Sequence, residues 1–245
     1  MSSSYYTPGK ERASKVCQLF QRIAGRYDLI NDIQSLGMHR LWKRSLVRRA
    51  ASHSSAGNQY PALALDLCCG TGDIALALAR HGFQVHGVDF SEKMLEIARE
   101  RTPVELAGRI RWSCQDVLAL SEPDGSYDLI TCAYGLRNLA DIPAAIALML
   151  RLLKPGGQLL ILEFGKPENP FLKALFRLYL KMVVPLFGLI FCRDARAYSY
   201  ILDSLDHYPA QRGIDELLRR QGFIQTSWQN IIGGTMSLST AFKRQ

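Results

Sequence analysis

Hydrophobic positions recur along the chain with two different spacings, and the changes between them mark out alternating strands and helices. Near-continuous or alternating apolar runs ending at 67, and over 84–90, 109–116, 127–134 and 158–164, predict strands. Between them stand the helix formers of 74–80, the run Glu92-Lys93-Met94-Leu95 behind a capping Ser91, and a helical stretch over 142–153 that ends at the turn Lys154-Pro155-Gly156-Gly157. Strand and helix in regular alternation predict a parallel sheet with right-handed crossovers and helices on both faces. Toward the end, 223–230 and 236–242 alternate as two closing strands joined through Gly233-Gly234, which predicts an antiparallel hairpin at the sheet edge.

Two stretches depart from this rhythm. Residues 15–49 are helical by pattern, with Val16, Leu19, Phe20 and Ile23 in helix register, and then a second amphipathic run through His39. Preceding the first strand, they are expected to lie across the carboxyl edge of the sheet as a lid region, 1–60, ahead of a main domain over 61–245. Later, 171–191 is almost wholly apolar apart from Lys173, Arg177 and Lys181 at four-residue spacing, with Pro185 and Gly188 expected to break it. This reads as an insertion over about 167–208, continuing in a further helix at 194–208. It is either an interfacial element or a buried helix of the insertion, but not a membrane span.

Composition bounds the setting. The 245 residues are 48% hydrophobic and 21% charged, fitting one large globular domain behind a fraying Ser2-Ser3-Ser4. Net charge is +8, and Arg40, Lys43, Arg44, Arg48 and Arg49 cluster in the second amphipathic run. Three readings compete for that cluster: a solvated face, contact with anionic lipid, or nucleic acid. Six cysteines lack metal-site spacing and read as small buried hydrophobes. Without a signal segment, reduced thiols in the cytoplasm are expected, and no metal.

The chemistry centres on Leu65-Asp66-Leu67-Cys68-Cys69-Gly70-Thr71-Gly72-Asp73, a strand entering a helix through a glycine turn. Gly70 and Gly72 would let backbone approach a nucleotide. The third glycine of the dinucleotide pattern is missing, and Asp73 puts a carboxylate where phosphate would be repelled, so the turn favours cationic S-adenosylmethionine over NAD. A capped helix with no ligand is the alternative. Asp89, closing the second strand, stands where an acid meets ribose hydroxyls. Asp116 is either a partner for an adenine amino group or an ordinary turn residue. Arg137-Asn138, at the carboxyl end of the fourth strand, suggests a substrate contact, set against a structural ion pair.

On these residues the chain resembles the quinone-biosynthesis C-methyltransferases, the family that methylates ubiquinone and menaquinone precursors. The resemblance runs through Phe20 to Asp32 with 35–43, the glycine turn, Tyr134-Gly135-Leu136-Arg137-Asn138 and 197–209. It implies an α/β class I methyltransferase with a Rossmann-like sheet, mostly parallel with an antiparallel C-terminal hairpin. It further implies that Thr71, Asp89, Asp116 and Val117 contact S-adenosylmethionine, with Asp66, Gly70, Gly72 and Met94 lining the same pocket. Ala133 replaces a serine of some relatives, and Cys68 a glycine common in class I methyltransferases. The implied acceptor is a polyprenylated quinol, reached at a membrane surface by a peripheral enzyme, with a homodimer as a candidate assembly. Arg137 would stabilise the phenolate, Asn138 and Tyr27 would orient the ring, and His39 or Asp28 would be the base. An RNA-modifying enzyme and a non-catalytic scaffold are the competing classes; no RNA-binding module is visible.

Overall fold

The structure, a computed structural model, describes residues 10–54, 61–192 and 204–245. The expectations for Ser2-Ser3-Ser4 and for most of the helix at 194–208 lie outside the described residues, although 204–207 are helical.

Seven strands form one sheet: β1 (Leu63–Leu67), β2 (Gln84–Asp89), β3 (Ile110–Cys114), β4 (Tyr127–Ala133), β5 (Leu153–Phe164), β6 (Ile224–Ile231) and β7 (Met236–Phe242). Their order is β3-β2-β1-β4-β5-β7-β6, parallel from β3 to β5. β7 runs antiparallel to both its neighbours. The closing hairpin is therefore present, but its second strand is interior: β7 is buried at nearly every position, while β6 alternates as an edge strand should. The strand β5 begins at Leu153, where that residue pairs with Tyr127, so sheet pairing starts before the Gly156-Gly157 turn rather than after it.

Helices α1 (Lys10–Ile23), α2 (Tyr27–Ser35) and α3 (Met38–Ser54) precede the sheet; α4 (Asp73–Arg80), α5 (Glu92–Glu100), α6 (Val104–Ala107) and α7 (Ile142–Leu152) are the crossovers. Helix α8 (Pro170–Cys192) and helix α9 (Ala210–Gln221) follow β5. One apolar core joins one sheet face to α7 and α9; a second joins the other face to α3 and α4. A third, smaller core of Val16, Leu19, Ile23, Ile30, Leu180 and Leu205 holds α1 and α2 against α8. Helix α8 runs unbroken through Pro185 and Gly188, contrary to expectation. A proline removes one backbone hydrogen bond, and a helix of 23 residues with six leucines among its helix formers carries that loss.

Candidate active site

Sheet order reverses between β1 and β4, and in such sheets ligands bind in the crevice outside the carboxyl ends of the two strands. Both strands end here in left-handed backbone at residues other than glycine, Cys68 (φ 55°) and Tyr134 (φ 58°). Such conformations cost roughly 1–2 kcal/mol each. They turn the chain away on either side and open the crevice. Gly135 is required by the close approach: a Cβ there would lie 2.3 Å from that of Cys68.

Above this point lies a cavity of about 680 Å³ lined by Tyr27, Cys68, Gly70, Asp89, Phe90, Met94, Asp116, Val117, Ala133 and Asn138, among others. Asp89 holds its floor, one carboxylate oxygen accepting from the Gly70 amide at 2.8 Å and the other from the Ser91 amide at 2.9 Å. Burial pushes its pKa up to about 6 against the pull of those amides. A recess of about 330 Å³ adjoins it, lined by Asp66, Thr71, Tyr27, Cys68 and Gly70. Asp66 is buried and accepts from Thr131 at 2.7 Å; burial raises it to about 7.

A second, larger cleft of about 1290 Å³ lies between α1, α2, α3 and α8 and the end of β4, and is mostly apolar. Its polar members include Asn31, Gln34, Ser35, His39 and Arg137. Phe20, Tyr27 and Tyr134 line both this cleft and the first cavity, and so form the wall between them. The Tyr134 hydroxyl in this wall and the Asn138 Oδ1 in the first cavity are buried with no hydrogen-bond partner among the described residues, an arrangement that a bound ligand would complete.

Residues 9–243 match the model of the ubiE/COQ5 methyltransferase family. The chain belongs to that family. A ubiquinone/menaquinone biosynthesis C-methyltransferase of Marinomonas sp. (strain MWYL1) is 36% identical over 240 residues, covering 96% of this chain and 93% of the relative. The corresponding protein of Saccharophagus degradans is 37% identical over 238 residues, covering 96% and 93%. Among solved structures, a possible histamine N-methyltransferase of Thermotoga maritima aligns with TM-score 0.59 at 16% identity, covering 93% of this chain and 99% of that one. The magnesium protoporphyrin IX methyltransferase of Synechocystis, solved with S-adenosylmethionine bound, aligns with TM-score 0.55 at 21% identity, covering 84% and 79%. At these identities the structures establish the fold alone.

Against what the family resemblance implies, the structure sorts the named residues. Gly70, Asp89, Met94, Asp116 and Val117 line the cavity at the switch point, with Asp66 and Thr71 in its recess. Gly72 lines neither: at φ 85°, its missing Cβ would meet the Trp112 ring at 2.7 Å, so its smallness serves packing. Asp116 also takes its turn role, accepting from the Leu118 amide. Ser91 is at the helix start, but its hydroxyl makes no cap bond. The inference drawn from Asp73 does not survive. Its carboxylate is neutralised by Lys43 at 2.7 Å and Arg101 at 2.6 Å, which outweigh burial and hold it down to about 2. Partners 30 positions before and 28 positions after it answer its charge, so it says nothing about a ligand.

The proposed catalytic residues are separated more than the motifs suggested. Tyr27 stands in the shared wall, and Asn138 in the first cavity. Burial outweighs its contacts with Asn31 and Arg137 and pushes the Tyr27 phenol up to about 12. Arg137 reaches the cleft but is buried in an ion pair with Glu163 at 2.7 Å, stacked 4.8 Å over the Phe164 ring. The structural ion pair weighed against its substrate role is therefore present. Asp28 lines neither cavity; it pairs with Arg101 and accepts from Thr71. His39 lines the cleft, and its neighbour sets its tautomer. The one proton of Ser35 Oγ points to the Asn31 carbonyl at 2.7 Å, so His39 Nδ1, at 2.8 Å, must donate to that oxygen. Nε2 is then the basic nitrogen. Burial and Lys43 lower the His39 pKa, leaving the ring neutral near pH 7.

Glu163 and Tyr134 are the residues that sequence reasoning missed as members of the site. Glu163 had a signal, a lone charge near the end of an otherwise apolar strand. Of the cysteines, Cys132 is buried as expected, whereas Cys114 is exposed as the last residue of β3.

Proposed function

We infer that this protein methylates a ring carbon of a quinone precursor with S-adenosylmethionine as donor; its relatives are named ubiquinone/menaquinone biosynthesis C-methyltransferases. The acceptor is a polyprenylated quinol, in the step from demethylmenaquinol to menaquinol, in the corresponding ubiquinone step, or in both. One observation supports this reading above the others: a polar-floored cavity and a large apolar cleft meet at a single aromatic wall. Methyl transfer needs donor and acceptor on opposite sides of one short gap, with water excluded.

S-adenosylmethionine, when bound, supplies an electrophilic methyl group. Asp89 would accept hydroxyl protons of its ribose, Met94, Val117 and Phe90 would pack the adenosyl part, and Asp66 would answer its positive end. On the acceptor side, Tyr27 and Tyr134 clamp the ring plane. His39 Nε2 takes the proton from the ring hydroxyl, which raises electron density at the neighbouring carbon. Arg137, its charge shared with Glu163, stabilises the oxyanion directly or through water, while Asn138 lies on the donor side of the aromatic wall.

Among the described residues, no helix is long and apolar enough to cross a membrane. A polyprenyl tail keeps the acceptor in the bilayer, so the enzyme works from the cytoplasm at the inner membrane face. Helix α8 contributes, with Phe171, Leu175, Leu178 and Met182 exposed on one stripe and Lys173, Arg177 and Lys181 on another.

Labelled S-adenosylmethionine offered with a demethylated quinol or with bulk RNA tests the reading. Label in the quinol alone supports it, and label in RNA overturns it. Profiling quinones in a deletion strain identifies the acceptor by the precursor that accumulates.

A further inference from the structure

We propose that the outward face of the α2–α3 hairpin is a second membrane-contact surface, seated on anionic lipid headgroups beside the acceptor cleft. The inference rests on the reading that the acceptor is lodged in a bilayer.

The apolar half of this face is unusual for exposed surface. Leu29 (53% exposed), Ile33 (44%) and Leu36 (87%) follow one another at i, i+4 and i+7 on the side of α2 opposite its cleft-lining residues. Leu41 (56%) continues the patch on α3. Leu36 is the informative member. It caps α2 in left-handed backbone, φ 50°, where glycine or asparagine would relieve strain. An aliphatic side chain that is strained and almost fully in water gains nothing from its own protein.

The polar half completes the match. Beside the patch runs a groove of about 1160 Å³ lined by Arg40, Lys43, Arg44, Arg48, Arg80 and Arg101, among others. Arg40 is paired with Asp32, Lys43 with Asp73, and Arg101 with Asp28 and Asp73. Arg44, Arg48 and Arg80 have no ion-pair partner among the described residues. Leu41, Arg44 and Arg48 lie on one stripe of α3, apolar at the hairpin tip and basic behind it. A nucleic acid would neutralise these arginines but leave the leucines in water; an anionic bilayer answers both at once. The helix that carries the patch borders the cleft and α8 with its other face. Tyr179 on α8 donates its hydroxyl to the Gln34 carbonyl on α2 at 2.7 Å, and both residues line the cleft.

Flotation with vesicles of phosphatidylcholine, alone and mixed with phosphatidylglycerol, tests the surface, with methyl transfer to a short-tailed, water-soluble quinol measured in parallel. Leu36→Ser with Leu41→Ser should lower vesicle partition about tenfold or more, from the loss of two inserted leucines. Arg44→Gln with Arg48→Gln should lower it about tenfold on the anionic vesicles only. Both pairs should keep the wild-type rate on the soluble quinol. Unchanged partition in both pairs, with loss on neutralising Lys173, Arg177 and Lys181, would overturn the proposal in favour of α8 alone. So would a wild-type dimer that the leucine pair converts to monomer, because the patch would then join two copies. Absent vesicle binding with intact transfer to the soluble quinol refutes the surface and leaves the enzyme reading standing. Intact vesicle binding without any transfer breaks the enzyme reading instead.

Discussion

The cavity proposed for the donor and the cleft proposed for the acceptor share Phe20, Tyr27 and Tyr134, yet they are held together by different means. The floor of the cavity is backbone: strand ends, glycine-dependent close contacts and amides fixed on Asp89. The cleft is made largely of side chains from helices that precede β1 and from α8 after β5, tied down by ion pairs and one tyrosine hydroxyl. A backbone-built site tolerates little change in shape, whereas a side-chain-built one can vary its lining while the scaffold stays.

Breaking the Arg137–Glu163 pair should have the largest effect. Arg137→Ala strands a buried carboxylate and should cost about 3–5 kcal/mol of stability, read as a fall in thermal midpoint. Arg137→Met with Glu163→Gln should recover much of that stability while turnover stays low. Turnover recovering along with stability would remove Arg137 from the chemistry.

On the cavity side, Gly135→Ala forces a Cβ onto Cys68 and should cost about 1–3 kcal/mol, weakening donor binding. Cys68→Gly removes both the clash and the left-handed strain, so the double variant should bind the donor nearly as the parent does. Calorimetric affinities check this.

Next comes pH. Asp66 and Asp89 have folded pKa values, about 7 and about 6, raised above the unfolded carboxylate value. Their contribution to stability is thus fully present below about pH 4 and is lost as pH rises through 6–7. A cationic donor favours the ionised forms, so its affinity should climb over the same window, with protons released on binding. An affinity that is flat from pH 5 to pH 8 would deny these carboxylates a role.

The smallest effect tests the connection between the regions. Lys43→Met frees one side of Asp73 and loosens α3 from the glycine turn, for about 1 kcal/mol. Acceptor KM should rise while donor affinity holds, because Arg101 still pairs with Asp73.

The contrast also explains what could be read from the sequence. Strands, crossovers, the glycine turn and Asp89 were legible because alternation and turn chemistry are local. Asp73 misled because its partners come from α3 and from the end of α5, which no spacing rule connects to it. Pro185 misled for the opposite reason, a strong local rule overridden by the helix around it. Arg137 was legible as an anomaly, but its partner Glu163 lies on the next strand, and only sheet register brings the two together.

The Ile232–Met236 connection, which closes one wall of the cleft, has a consequence in time. Every residue lining the donor cavity lies between Phe20 and Ala140, whereas the cleft needs Ile232, Thr235 and Met236, close to the end of the chain. During synthesis the donor-side residues leave the ribosome long before the last wall of the acceptor side can dock. A chain ending before Ile232 would thus carry every residue that lines the cavity and lack three that line the cleft.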